Sequence, residues 1–183
     1  MSRETTLYPL SIGPGEVVHR NRNVEIRRVV AKFDGFEKEY FVSDYGRRAA
    51  VVIMDGGRVL LARQYRLMIN EIALEIPGGR AEPEESLEDA AVRECLEETG
   101  IRCQDLSPLI SYELGLDTVR NPTTVFVASA FEQVGGVAED RFAWVPFEQC
   151  LDMVFSGGIR DSLTVLALLA CRARCPAPRG AVS

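Results

Sequence analysis

Residues 78–101 constrain this chain more than any other segment, because they combine a glycine turn, a helix start signal and closely spaced acidic residues. Ser86 followed by Asp89 is similar to a capping box, which predicts that a helix begins there. Gly100 predicts where it ends, because glycine is the usual residue after the last helical turn. The segment therefore predicts a helix over residues 86–99.

Three carboxylates crowd one face of this predicted helix. At about 100° per residue, Glu94, Glu97 and Glu98 fall within an arc of roughly 100°, and like charges one turn apart repel each other. One interpretation is a solvated acidic face; the other is a site for a hard cation such as Mg²⁺ or Mn²⁺, which prefers oxygen ligands. Arg93 lies between the acids and can hold Glu85 or Glu97 by charge-assisted hydrogen bonds.

The spacing of the whole segment resembles the Nudix box, GX5EX7REUXEEXGU, in which U is an aliphatic residue. A buried cysteine behaves as a small hydrophobe and can occupy such a position. The matching residues are Gly79, Glu85, Arg93, Glu94, Cys95, Glu97, Glu98, Gly100 and Ile101. The resemblance implies a hydrolase that acts on a nucleoside diphosphate linked to a second group, with Mg²⁺ or Mn²⁺ as cofactor.

The resemblance also implies roles for individual residues. Glu94 and Glu98, one turn apart, are the expected side-chain ligands of the metal, and the carbonyl of Gly78 is the expected backbone ligand. Glu97 is expected to bind a second ion or to orient water. Arg93 is expected to hold Glu85 and Glu97 in place; the alternative is that it contacts the substrate.

Composition restricts the partners. The net charge of −6 argues against a nucleic-acid groove or an anionic membrane surface. No apolar run approaches the roughly 20 residues of a membrane span, and the N-terminus does not resemble a signal peptide. Five cysteines without a secretory signal predict reduced thiols in a cytoplasmic protein. His19 is the only histidine, which argues against zinc and leaves acid–base chemistry to carboxylates or metal-bound water.

The order of elements predicts an α+β protein. The Nudix fold, an α/β/α sandwich on a mixed β-sheet, fits this order. Helices are predicted at 86–99, 146–155 and 161–170, and strands at 16–30, 36–42, 49–54, 58–65, 72–76, 107–114, 123–131 and 141–145. Three regions follow: an N-terminal β-rich extension (1–45), a Nudix hydrolase domain (46–171) and a disordered tail (172–183).

Two further motifs are similar to the ADP-ribose and sugar-nucleotide pyrophosphatase branch of that family. They are Gln64-Tyr65-Arg66 and Glu75-Ile76-Pro77-Gly78-Gly79, which match a QYR…E(L/I)PAG pattern. Arg66 is the candidate for the substrate's phosphate or terminal group, because a guanidinium pairs two phosphate oxygens at once; the alternative is a surface strand residue. Glu75 is expected to support the site or a dimer.

One loop departs from that branch. Its ADP-ribose pyrophosphatases usually carry a proline beyond the box, where this chain has Leu116 and Asp117. A glutamate in the same loop often places the attacking water, and Asp117 is the best substitute here. The choice of nucleotide sugar therefore stays open. The alternatives are a nucleoside triphosphate diphosphatase that sanitises the nucleotide pool and a non-catalytic ligand-sensing module.

The N-terminal part of the sequence also indicates how the chain assembles. Residues 16–48 hold β-prone segments with exposed aromatic residues, which are aggregation liabilities unless they are covered. In the related branch such an extension forms an intertwined homodimer with substrate between the chains. The resemblance therefore implies a homodimer; the alternative is a monomer whose extension folds back onto its own sheet.

Overall fold

The computed structural model describes residues 8–174, and these form two compact units. The first unit contains the chain up to residue 47 together with residues 113–122, and the second contains residues 48–112 and the chain from residue 123 onward. The predicted division into an extension (1–45) and a hydrolase domain (46–171) stays a prediction. Residues 113–122 lie within the predicted hydrolase domain in sequence and pack with the strands of the first unit.

Twelve strands and three α-helices lie within the described residues. The strands are β1 (Ser11–Ile12), β2 (Glu16–Arg20), β3 (Glu25–Phe33), β4 (Phe36–Asp44), β5 (Arg48–Asp55), β6 (Arg58–Arg66), β7 (Glu71–Glu75), β8 (Gly78–Arg80), β9 (Ile101–Tyr112), β10 (Val119–Arg120), β11 (Thr123–Gln133) and β12 (Phe142–Pro146). The helices are α1 (Leu87–Thr99), α2 (Phe147–Ser156) and α3 (Ser162–Arg174).

The first unit is a five-stranded sheet. Its strands run in the order β1-β3-β4-β10, and β2 pairs with β3. The β3–β4 hairpin turns at Asp34-Gly35, a dipeptide that is typical of hairpin turns. The short β10 pairs in parallel with β4, and this pairing brings residues 113–122 into the first unit.

The second unit is built on a seven-stranded mixed sheet. Its main order is β12-β6-β5-β11-β9, with β7 beside β6 and β8 beside β5. The pairing of β5 with β11 is parallel, whereas its other pairings are antiparallel. Strands β5 and β6 form a hairpin that turns at Gly56-Gly57.

Helices cover both faces of this sheet because the central strands are apolar on both sides. Alternate residues of β5 point in opposite directions: Ala49 and Val51 pack with α1, whereas Ala50 and Val52 pack with α2 and α3. Sheets buried on both faces read as continuous apolar runs in sequence. The predicted α+β fold, an α/β/α sandwich on a mixed sheet, is confirmed.

Helix α1 begins and ends as the sequence predicts. The Asp89 amide donates to the Ser86 hydroxyl oxygen at 3.0 Å, and Gly100 adopts a left-handed conformation with φ of 69°. Strand β9 follows at once, six residues earlier than predicted, because the amides of Val134 and Gly135 donate to the Gly100 carbonyl and continue the β9–β11 ladder.

Helix α3 extends past its predicted end. It continues through Arg174, so the predicted disordered tail is wrong for residues 172–174, and the remainder of that tail lies outside the described residues. None of the helices between residues 8 and 174 is long and apolar enough to cross a membrane.

Gly100→Ala should destabilise the second unit more than Gly57→Ala. Both glycines have positive φ, which costs a residue with a Cβ about 1–2 kcal/mol. A Cβ at Gly100 would also lie 2.9 Å from the Gly135 carbonyl oxygen, whereas a Cβ at Gly57 would meet nothing within 4 Å. We expect a loss of roughly 2–4 kcal/mol for Gly100→Ala and about 1 kcal/mol for Gly57→Ala, measured by urea unfolding. Equal losses would show that Gly135 moves aside without cost.

Candidate active site on helix α1

Arg93 organises the carboxylates of α1. Its Nε and Nη2 donate to the two oxygens of Glu85 at 2.9 Å each, and Nη2 also donates to the carbonyl of Arg80 at 3.0 Å. Its Nη1 donates to Glu94 Oε1 at 2.8 Å and to Glu97 Oε2 at 3.4 Å. The bonds from Glu85, followed by those from Glu94, raise the pKa of Arg93. Because a guanidinium has five N–H groups, every donor of Arg93 is engaged by the protein itself.

Glu98 is a largely buried carboxyl on the same helix. Gln64 Nε2 donates to its Oε1 at 2.7 Å, and the amide of Gly78 donates to its Oε2 at 3.1 Å. Burial raises the pKa of Glu98 to about 7, the bond from Gly78 opposes this, and the charges of Glu94 and Glu75 add to the rise. Ionised Glu98 is therefore held by two donors but lacks a nearby charge that fully compensates it.

The sequence predicts a loop at Gly78-Gly79, and the structure places a short strand there. Strand β8 pairs with β5 so closely that a Cβ on Gly78 would lie 2.6 Å from the carbonyl oxygen of Ala49. A Cβ on Gly79 would lie 2.5 Å from Glu94 Oε2. Gly78 is therefore needed for the close approach of the two strands, whereas Gly79 lies against the carboxylate of Glu94. The predicted metal contact of the Gly78 carbonyl stays a prediction.

The residues around α1 fit a divalent cation. Glu94 and Glu98 lie one helical turn apart and offer the hard oxygen ligands that such ions prefer. The raised pKa of Glu98 arises from burial and from the charges of Glu94 and Glu75, and a cation would relieve both causes. Between residues 8 and 174, no three or more His, Cys, Asp or Glu side chains form a metal-binding group. A cation here would therefore need backbone oxygens or water in addition to carboxylates.

Arg66 and Glu75 form a bidentate ion pair beside Glu98. Arg66 Nε donates to Glu75 Oε1 at 2.7 Å, and Nη2 donates to the other oxygen. These bonds are the main cause of the raised pKa of Arg66, and Glu98 adds to it. Glu75 is buried and thus fixes the orientation of Arg66. The predicted phosphate contact of Arg66 is not tested by this arrangement.

Sequence reasoning missed two hydrogen-bonding residues, the partly buried Gln64 and the buried Thr164. Gln64 was named as part of a sequence motif but was given no role in the site. Its spacing of two residues from Arg66 places both side chains on one face of β6. The Thr164 hydroxyl accepts from the Ile76 amide at 3.0 Å and donates to Asp161 Oδ2 at 2.7 Å, which connects the end of β7 to α3. The signal for this contact is a threonine in the first turn of a helix that follows an aspartate.

Two predicted catalytic residues are exposed. Glu97 is on the exposed side of α1. Its Oε2 lies 3.4 Å from Arg93 Nη1, which is the longest of the three ion-pair distances of Arg93. Asp117 belongs to the first unit, where its charge raises the pKa of Lys38 as the least of several causes. Their predicted roles with water stay predictions.

Comparison with known proteins identifies the family of this chain. The family model described as NUDIX domain matches residues 44–161. A CMP-5'-(N-acetyl-N-hydroxy-3-aminopropyl)phosphonate hydrolase from Streptomyces rubellomurinus is 30% identical over 166 residues, which cover 87% of this chain and 81% of that protein. An ADP-ribose pyrophosphatase from Bacillus subtilis is 28% identical over 72% of this chain and 74% of its own length.

The fold is also found among solved structures. The crystal structure of an ADP compounds hydrolase superposes with a TM-score of 0.78 at 21% identity, over 91% of this chain and 94% of that one. This likeness concerns the fold, whereas the family model spans well over half of the sequence and includes every residue of the Arg93 network. The chain therefore belongs to the Nudix family.

Proposed function

We propose that this protein hydrolyses the pyrophosphate bond of a nucleoside diphosphate linked to a second group, with ADP-ribose or a related nucleotide sugar as substrate. The observation that carries the proposal is the partly buried Glu98 carboxyl beside Glu94, held by Gln64 and Gly78. Relatives named as an ADP-ribose pyrophosphatase and as a hydrolase of a CMP-linked phosphonate support the substrate class.

The reaction consumes one water. The water oxygen forms a bond to one phosphorus, the bond from that phosphorus to the bridging oxygen breaks, and the bridging oxygen leaves with the other phosphate. The products are a nucleoside monophosphate and a phosphorylated second group. A bound Mg²⁺, or Mn²⁺, would neutralise the diphosphate and lower the pKa of the attacking water.

The chain's own residues divide the remaining tasks. Glu94 and Glu98 would hold the ion, with the Gly78 carbonyl as a backbone ligand. Glu97 is exposed and would orient water or accept its proton. The role of Arg93 is to fix the carboxylates, because all its N–H groups are engaged within the protein.

Assembly as a homodimer is part of the same proposal. Within its described residues, 8–47 and 113–122, the first unit contains strands but no helix to cover them. Several large apolar side chains there are exposed: Tyr8, Leu10, Ile12, Phe36 and Phe41. A groove of about 370 Å³ in this unit is lined by apolar residues and Asp117. A second copy of the chain would cover this surface.

A cytoplasmic location is also proposed. The cysteines at positions 95, 103 and 150 are buried and free, which suits a reducing compartment. The net charge of −6 supports a small nucleotide rather than nucleic acid as the partner.

Glu94→Gln and Glu98→Gln should each lower kcat by about a hundredfold or more. The amide preserves side-chain volume but lacks the charge that holds a hard cation. Turnover is measured with Mg²⁺ on ADP-ribose, GDP-mannose, NADH and nucleoside triphosphates, with product analysis. Glu88→Gln, an exposed change in the first turn of α1, is the matched control and should retain activity. Near wild-type turnover of both site variants at saturating Mg²⁺ would refute the ligand assignment.

Arg93→Ala should reduce both stability and activity, because it leaves Glu85 and Glu94 without their cationic partner. Breaking a buried pair costs roughly 3–5 kcal/mol; since Arg93 is 30% exposed, we expect a lower loss of roughly 2–4 kcal/mol. The control is Arg102→Ala, which removes an exposed ion pair with Glu132 and should change stability little. A rise in KM with unchanged melting temperature would instead place Arg93 on the substrate.

Light scattering should give about twice the chain mass of 20.3 kDa. Ile12→Asp, on the exposed surface of the first unit, should shift the protein toward monomer. Met68→Asp is the control, because it changes an exposed apolar residue of the second unit. Deletion of residues 1–45 should give a poorly soluble or inactive protein. A wild-type mass near 20.3 kDa at micromolar concentration would rule out the homodimer.

A further inference from the structure

A small cleft lies between β7 and the turn that precedes α3. It has a volume of about 230 Å³, below the roughly 300–1,000 Å³ that accommodates a drug-sized ligand. Its size therefore suits a group of about one ring rather than a whole nucleoside. Charged residues from both sides line it, together with Ile72: Arg66, Glu71, Glu75, Arg160 and Asp161.

The charges in the cleft are balanced within it. Arg66 pairs with Glu75, and Arg160 pairs with Glu71, while Asp161 caps the first turn of α3. With two cations and three acids, the cleft has no excess of positive charge to attract an anion. It does have both guanidinium donors and carboxylate acceptors. A neutral polyhydroxylated group, whose hydroxyls both donate and accept, matches this combination.

The cleft adjoins the candidate active site. Gln64 and Arg66 lie two residues apart on β6 and so share one face of that strand. Gln64 binds Glu98, and Arg66 binds Glu75 in the wall of the cleft. The charge of Glu75 raises the pKa of Glu98 and that of Arg66 lowers it, as expected for neighbouring groups. A substrate whose diphosphate lies at Glu94 and Glu98 could therefore extend into the cleft.

We propose that this cleft binds the sugar of a nucleotide-sugar substrate, and that Arg160 and Glu71 contact its hydroxyl groups. The inference rests on the proposed function and specifies the chemistry of the second group: a single neutral sugar ring.

Arg160 is better suited than Arg66 to contact an incoming ligand. The partner of Arg66, Glu75, is only 6% exposed, so separating that pair would leave a buried charge without compensation. The partner of Arg160, Glu71, is 61% exposed, and Arg160 itself is 51% exposed. Such an exposed pair is weak and can exchange its bond for one to a substrate hydroxyl. Arg66 thus forms the wall of the cleft, whereas Arg160 and Glu71 can select the ligand.

The test compares two substrates of equal charge. One is a nucleotide sugar, and the other is the same nucleoside diphosphate with a methyl group in place of the sugar. The nucleoside is the one that the wild-type protein hydrolyses fastest. For each variant the measured quantity is the ratio of kcat/KM for the sugar substrate to that for the methyl substrate.

Arg160→Ala should lower this ratio by on the order of tenfold or more, because it removes charge-assisted hydrogen bonds to the sugar. Ala73→Leu should lower it as well, by filling the cleft that Ala73 lines. Arg102→Ala removes an equally exposed ion pair elsewhere in the second unit and should leave the ratio unchanged. Thermal melting confirms that each variant is folded, and the two cleft variants test the inference independently.

The outcomes separate the two proposals. Wild-type hydrolysis with the ratio unchanged within twofold in the folded cleft variants would overturn the sugar site and leave the proposed function intact. A wild-type protein that hydrolyses neither substrate for any nucleoside would overturn the proposed function and the sugar site with it. A lowered ratio in the cleft variants, with the control unchanged, supports the site.

Discussion

The arrangement of carboxylates on α1 depends on Arg93. Without a cation among them, Glu85, Glu94 and Glu97 would repel each other and favour other rotamers. Arg93 holds all three and also binds a backbone carbonyl, so its five N–H groups fix the helix, the loop before it and strand β8 relative to one another. A lysine could not replace it, because three donors at one point cannot reach these separate acceptors.

The second constraint is the absence of side chains at Gly78 and Gly79. Glycine weakens strands through its conformational freedom, yet β8 requires Gly78 because the backbone of β5 approaches too closely for a Cβ, while Gly79 lies against the carboxylate of Glu94. This close approach also brings the Gly78 amide to Glu98. The two glycines thus make β8 less stable as a strand, but they allow its backbone to lie close to the carboxylates of Glu94 and Glu98.

Features that depend on residues close together in sequence could be predicted from the sequence. Features that depend on contacts between residues distant in sequence could not. The bounds of α1 followed from Ser86 and Gly100 because capping is a local interaction. The box residues were identified by their resemblance to a family motif, and the ion pairs of Arg93 with Glu85 and Glu97 were expected because opposite charges lie close together in this segment. The membership of 113–122 in the first unit could not be predicted, because it depends on β10 pairing with a strand about 75 residues earlier. Gln64 and Thr164 were missed for the same reason: each contacts a residue distant in sequence.

The two arginine–glutamate pairs of the β7 cleft show how burial separates structural charges from selective ones. Both pairs consist of the same residue types, and both line the same cleft. The desolvation of Glu75 makes the bond to Arg66 costly to break, so that pair behaves as part of the scaffold. Water competes for Glu71 and Arg160, so their bond contributes little and can be replaced. Under the proposed function, the site must hold a diphosphate in one geometry and distinguish among the groups attached to it. The fixed Arg66–Glu75 pair beside Glu98 suits the first task. The exchangeable Arg160–Glu71 pair, at the other end of β7, suits the second.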